Sequence, residues 1–159
     1  MMKNLIIYFS IFGSTKRFAE MIQGIVGGDL VEIKPVRPYE REYKPLLAFS
    51  KKEVDNGILT EFVDPNIDIN DYDNVFVGYP MWWYTYPPII KHFFKKYNMI
   101  GKTVIPFNTH EGSGDGGTYG EIARDLPHSR VLKGLAIRGG DVSEKKLKNI
   151  QTWLKEIGF

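Results

Sequence analysis

The chain opens with an unbroken apolar run. Leu5-Ile-Ile-Tyr-Phe9 has no charged position, the pattern of a strand covered on both faces, since a strand with one wet face alternates. After Ser10-Ile-Phe-Gly-Ser-Thr15 the period changes. Phe18, Ile22, Ile25 and Val26 fall at i, i+4, i+7 and i+8, one apolar stripe of a helix. Strand and helix patterns then alternate. Residues 30–33, 75–79, 103–107 and 131–137 read as four further strands, the first of these closed off by Pro35 and Pro38. A helix over 43–56 ends at Gly57. Another begins at Pro87-Pro88, with Ile89, Ile90, Phe93, Phe94 and Tyr97 on one face. Thr118-x-x-Glu121 has the spacing of a capping box that opens a helix with Ile122 and Leu126 turned inward. The last helix is expected near Ser143, burying Leu147, Ile150, Leu154 and Ile157.

Five strand–helix units predict an α/β fold, a three-layer sandwich around a five-stranded parallel sheet of order 2-1-3-4-5, in one domain over 1–159. In such a sheet a ligand sits where the strand order reverses, at the carboxyl ends of strands 1, 3 and 4. The loops predicted there carry the chemistry.

A strand that delivers hydroxyls and free N–H groups to a helix N-terminus makes an anion site, and the expected anion is a phosphate. The turn is not a P-loop, because Gly13 is followed by Ser-Thr-Lys rather than by the G-K-[ST] ending. It is not a dinucleotide fingerprint either, having one glycine where three are required. An ordinary Ser-capped helix is the competing explanation. After strand 3 comes Tyr79-Pro-Met-Trp-Trp-Tyr-Thr-Tyr-Pro87, aromatic and uncharged, and after strand 4 comes Asn108-Thr-His-Glu-Gly-Ser-Gly-Asp-Gly-Gly117. Aromatic clusters are usually core and glycine-rich loops usually mere connections. Three such loops at one switch point suit a phosphate joined to a flat heteroaromatic ring.

Composition narrows the classes. The 159 residues contain no cysteine, which excludes disulfides, iron–sulfur clusters, thiolate metal sites and a Cys nucleophile. Redox work would therefore need a bound cofactor. His92, His110 and His128 have no metal-ligand spacing, so no metal is expected. Net charge is +2, and no basic stripe is interleaved with stacking aromatics, which argues against nucleic acid. The first apolar run is of strand length and follows a single lysine, unlike a signal peptide. The uncharged stretch 75–90 is interrupted by Gly78, Pro80, Pro87 and Pro88, unlike a membrane span. The expectation is a soluble cytoplasmic protein. From Glu53 to Asp73 every charged residue is acidic; a solvated loop explains this better than a docking surface for a basic partner.

The turn S-x-x-G-S-T resembles the phosphate loop of flavodoxins. Gly78-Tyr-Pro-Met-Trp-Trp83 and Thr109-His-Glu-Gly-Ser-Gly114 resemble segments of short-chain, flavodoxin-like FMN proteins of bacteria. Pro38-Tyr39 and Lys133-Gly-Leu-Ala-Ile137 extend the resemblance over nearly the whole chain. It implies a flavodoxin-like fold, an uninterrupted strand 5 and FMN as cofactor. On the same basis Ser10, Ser14 and Thr15 would offer hydroxyls, and the amides from Phe12 through Gly13 to Thr15 would close on the phosphate. Phe12 stands where a hydroxyl residue is usual. Pro80, Met81, Trp82 and Trp83 would line the isoalloxazine, Trp82 being the first choice to stack on it and Trp83 the second. Thr109, His110, Glu111, Gly112 and Ser113, with Gly114 closing the segment, would follow the pyrimidine edge, although glycine is more comfortable at position 111. His110 would either donate to flavin O2 or turn to satisfy its own loop; no other catalytic residue is implied.

Two redox readings stay open, a one-electron carrier serving partner proteins and a reductase passing electrons from a reduced nicotinamide to a quinone-type acceptor. A non-redox domain on the same fold is a third, disfavoured because a receiver domain would carry acids where Ser10 stands. Single-electron flavodoxins flip a peptide in the loop after strand 3, which puts a residue at positive φ. Residues 80–86 contain no Gly, Asn or Asp, so such a flip should be costly. With an isoelectric point near 8.7, this favours two-electron use.

Overall fold

Strand β1 (Asn4–Tyr8) divides its side chains between two faces. Leu5, Ile7 and the following Phe9 enter one core cluster, while Ile6 and Tyr8 enter the other, as the two-residue period of a strand requires. The computed structural model describes residues 3–159. On the Ile6 side, α1 (Ser14–Val26) and α5 (Leu147–Glu156) contribute Phe18, Ile22, Ile150, Trp153 and Leu154. The Leu5 side is covered by α2 (Tyr43–Asp55), α3 (Pro88–Lys96) and α4 (Thr118–Asp125), through Leu46, Ile89, Ile90, Phe93 and Ile122. Helices on both faces explain why the central strands read as continuous apolar runs.

With β2 (Asp29–Glu32), β3 (Asn74–Pro80), β4 (Thr103–His110) and β5 (Arg130–Val131), the sheet is parallel throughout and runs β2-β1-β3-β4-β5, the order expected. Its fifth position differs from expectation. The predicted continuous strand over 131–137 is two pieces, β5 (Arg130–Val131) and β6 (Leu135–Arg138), both paired with β4. Val104 pairs with Val131 but Phe107 pairs with Leu135, so three steps on β4 face four on its neighbour, a bulge. The cause lies on β4, where Pro106 has no N–H for the ladder. The chain draws close there instead: a Cβ on Gly134 would lie 2.5 Å from the Pro106 carbonyl oxygen. Trp153 Nε1 fastens the bulge by donating to the Lys133 carbonyl at 2.8 Å.

Three local expectations are also corrected. Gly117, not Thr118, is the N-cap of α4, and no side chain caps that helix. The Thr118 hydroxyl instead donates to the Asp115 carbonyl at 2.6 Å and accepts from Tyr79 Oη at 2.7 Å. The other half of the expected box, Glu121, accepts from Thr85 Oγ1 at 2.8 Å and pairs with Lys91 at 3.1 Å. Ser143 opens a 3₁₀ turn rather than the last helix, accepting from Lys145 N–H at 3.3 Å, and Leu147 is left exposed while Trp153 takes the buried place. Finally, the acids of 53–73 do not form one solvated row. Glu53 is 4% exposed and accepts hydroxyl hydrogen bonds from Tyr39 and Thr60. Burial, and then the bond to Glu53, push the Tyr39 phenol above its ordinary range. Among the described residues no helix is long and apolar enough to cross a membrane.

Candidate functional site

The carboxyl ends of β1, β3 and β4 are tied to one another before their loops diverge. Phe9 N–H donates to the Gly78 carbonyl at 3.0 Å, and Met81 N–H to the Thr109 carbonyl at 2.9 Å. The Thr15 and Thr109 hydroxyls, both buried, lie 2.8 Å apart. Between the loops is a cleft of about 1040 Å³, at the upper end of the range of roughly 300–1,000 Å³ for small-molecule sites.

The first loop supplies Ser10, Phe12, Ser14 and Thr15 to the lining, with Phe12 well exposed. Gly13, at φ 97°, is the N-cap of α1, and its N–H donates to Ser10 Oγ at 3.2 Å. No side chain caps α1 and its first turn holds no acid. An ordinary Ser-capped helix is therefore not what the chain builds. Hydroxyls and helix N-terminal amides, with no competing carboxylate in the turn, are a donor set suited to a phosphate monoester.

The third loop supplies Thr109, His110, Glu111, Gly112 and Ser113 to the lining. Gly114 shapes this loop from behind, its carbonyl accepting from Asn108 Nδ2 at 3.0 Å. Tyr119 Oη donates to Asn108 Oδ1 at 2.5 Å, so the loop is braced from below. Glu111 is not at positive φ, so glycine is not required there. A Cβ on Gly139 would lie 3.0 Å from Glu111 Oε1 and 3.4 Å from Ser14 Oγ, which brings the end of β6 against both loops. His110 Nδ1 accepts from Gly112 N–H at 2.9 Å. The ring therefore satisfies its own loop, and when neutral it carries its proton on Nε2.

The second loop differs most from its sequence pattern. Pro80, Met81, Trp82 and Trp83 all line the cleft, but the indoles have unlike surroundings. Trp82 is 5% exposed, within 5.6 Å of the Phe9 ring and 5.2 Å of the Tyr39 ring, and its Nε1 donates to the Ser50 carbonyl at 3.3 Å. Trp83 is 39% exposed, and its Nε1 donates to Ser50 Oγ at 2.8 Å. Trp82 and Thr85 exchange backbone hydrogen bonds of 3.1 and 3.2 Å, enclosing a two-residue turn in which Trp83 and Tyr84 have φ of 54° and 61°. That is the pattern of a type I′ turn, usually filled by Asn-Gly. Bulky residues thus already occupy the positive-φ positions of this loop, so their cost no longer argues against a peptide flip there. Ser50 holds the turn from one side. Glu121 holds it from the other, through Thr85 Oγ1 and Tyr86 N–H.

Sequence reasoning missed the wall contributed by α2, namely Tyr43, Leu46, Leu47 and Ser50, together with Tyr84, Ile11, Gly116 and Gly139. The α2 pattern identifies a helix but not the loop against which it leans. Gly139 could have been found, since it follows the strand next to β4 at the same sheet edge.

A doubly wound parallel sheet, with a phosphate-type loop and an aromatic cleft at its switch point, defines a flavodoxin-like flavoprotein. A profile of the flavodoxin family matches residues 3–157, and the chain belongs to that family. Similar solved structures include a Bacteroides eggerthii protein assigned as a flavoprotein, 31% identical over 99% of this chain and 98% of that one, with a TM-score of 0.82. Another is a flavoprotein in complex with FMN from Lactobacillus acidophilus, 24% identical, covering 95% and 99%, with a TM-score of 0.72. An archaeal flavodoxin at 16% identity and a TM-score of 0.61, over 98% and 96% of the two chains, shares the fold. Comparison with curated protein sequences gives no match.

Proposed function

We propose that this chain is a single-domain cytoplasmic reductase that holds FMN in the cleft and passes two electrons to a quinone-type small molecule. The carrying observation is the lining of one cleft by an uncapped helix N-terminus and by an aromatic wall backed by α2. The phosphate belongs with the amides of residues 12–15 and the hydroxyls of Ser10 and Ser14. Trp83, the more exposed indole, is the better candidate to meet the ring, with Trp82 supporting it from the core. The segment from Thr109 to Ser113 follows the pyrimidine edge, where backbone N–H groups and His110 Nε2–H can meet the charge that develops on reduction. When bound, FMN would supply the redox chemistry that links a reduced nicotinamide to the acceptor. The nicotinamide would give up a hydride and leave oxidised, and the quinone would gain that electron pair with two protons, one from the hydride and one from solvent, and leave as the hydroquinone.

A one-electron carrier is the second reading, favoured by the positive-φ turn at Trp83 and Tyr84. Anaerobic stopped-flow separates the two. FMN-loaded protein, photoreduced and mixed with 2-methyl-1,4-naphthoquinone, should reoxidise at a rate that saturates with quinone concentration. A strictly linear dependence would mean collision without a site and would put the carrier reading first.

A further inference from the structure

Ser50 on α2 is buried and is reached by both indoles of the second loop. Its carbonyl accepts from Trp82 Nε1 at 3.3 Å, and its hydroxyl accepts from Trp83 Nε1 at 2.8 Å. The same hydroxyl donates to the Leu47 carbonyl, one turn back in the helix, at 3.1 Å. A hydroxyl has one proton, so with that proton on Leu47 the oxygen can only accept, and an indole N–H can only donate. The helix backbone thus presets Ser50 Oγ as an acceptor for Trp83.

The indole so held has few other restraints. Trp83 is partly exposed and stands at φ 54°, a conformation that costs a bulky residue stability and that persists where surrounding structure imposes it. Lys51 Nζ lies over the Trp83 ring, 5.8 Å from its centroid, within the range of a cation–π contact. Lys51 is itself tied to Asp55 at 2.6 Å. Trp83 lines the cleft and Lys51 does not, so the cation covers the ring face turned away from the cleft and leaves the opposite face to a flat guest. Trp82 has no such freedom, being packed against Phe9 and Tyr39.

From this geometry we propose that Ser50 is a positioning residue for the flavin, its hydroxyl fixing the Trp83 indole in the orientation that stacks on the isoalloxazine. The proposal rests on the FMN reading and adds to it the device that holds the aromatic wall in place. Without the hydroxyl the indole samples orientations that cannot stack, and apparent affinity falls with the population of the competent one.

Ser50→Ala deletes the hydroxyl and leaves the carbonyl that holds Trp82. Titration with FMN, followed by flavin fluorescence, should show about fivefold weaker binding, the factor expected for one neutral hydrogen bond. Time-resolved emission of the bound flavin should gain a longer-lived component from molecules with no indole on the ring, since a stacked indole quenches excited flavin. A role in fold stability alone would not add that component. Trp83→Phe keeps a ring but loses the N–H, at a partly exposed position, and should also bind FMN more weakly. In the Trp83→Phe background, Ser50→Ala should change FMN affinity by less than about twofold, because the donor that the hydroxyl served is gone. Parental affinity or an unchanged emission profile in Ser50→Ala would overturn the proposal. So would parental affinity in Trp83→Phe, or an undiminished fivefold loss when Ser50→Ala is added to it. A parent chain that takes up no FMN would instead overturn the reading on which the proposal rests.

Discussion

Replacing Ser14 by aspartate should move flavin affinity and fold stability in opposite directions. Ser14 is the first residue of α1, behind an N-cap that has no side-chain hydrogen bond. A carboxylate in a first helical turn is favoured by the helix dipole, by about 0.3–1 kcal/mol. The flavin-free chain should therefore melt about 1–3 °C higher. A phosphate brought to the same turn carries a charge of about −1.5 to −2. At roughly 5 Å and an effective dielectric near 20, repulsion per unit charge is about 3 kcal/mol. Allowing for solvent exposure, FMN should bind roughly 30–150-fold more weakly. Fluorescence titration and thermal melts of Ser14→Asp and Ser14→Ala check both signs. If Ser14→Asp binds FMN as tightly as the alanine variant, the phosphate does not sit at this helix.

Gly78→Ala should be strongly destabilising. Gly78 lies in β3, paired with Tyr8 and with Phe107. A Cβ there would meet Phe107 Cζ at 2.2 Å and Cε2 at 2.3 Å. The Phe107 ring is fully buried, with its centroid 4.8 Å from that of Phe18, so it has no free space to turn into. Overpacking of this kind costs about 3 kcal/mol or slightly more, and the melting temperature should fall by about 6–12 °C. Phe107→Leu in the same chain removes the colliding ring edge. The double variant should then be more stable than the sum of the two single changes, a coupling that a double-mutant cycle measures. Strict additivity would mean that the methyl is accommodated elsewhere.

What the sequence disclosed depended on whether the relevant contacts were local. The turn from Ser10 to Thr15 and β1 are contiguous, so their strand, turn and helix could be read in order, and the strand order followed from the alternation of elements. The unlike roles of Trp82 and Trp83 could not be read. Adjacent residues differ here because Ser50, more than thirty positions upstream, accepts from one indole with its carbonyl and from the other with its hydroxyl. Glu53 looked like part of an acidic surface because nothing near it in sequence marks Tyr39 and Thr60 as its partners. Thr118 and Glu121 had the spacing of a capping box, but tertiary partners claimed both side chains. The bulge in the fifth position came from Pro106 on the neighbouring strand. Each of these outcomes lies in contacts between distant segments, which periodicity does not record.

Acid release of the flavin from purified protein, resolved by chromatography and quantified against chain concentration, tests the central claim most directly. The cleft combines one phosphate-type turn at the start of α1 with an aromatic wall, the features a mononucleotide of flavin requires. The expected result is FMN at one per chain, released without covalent attachment. Recovery of FAD, or of no flavin after incubation with excess FMN, would contradict the account.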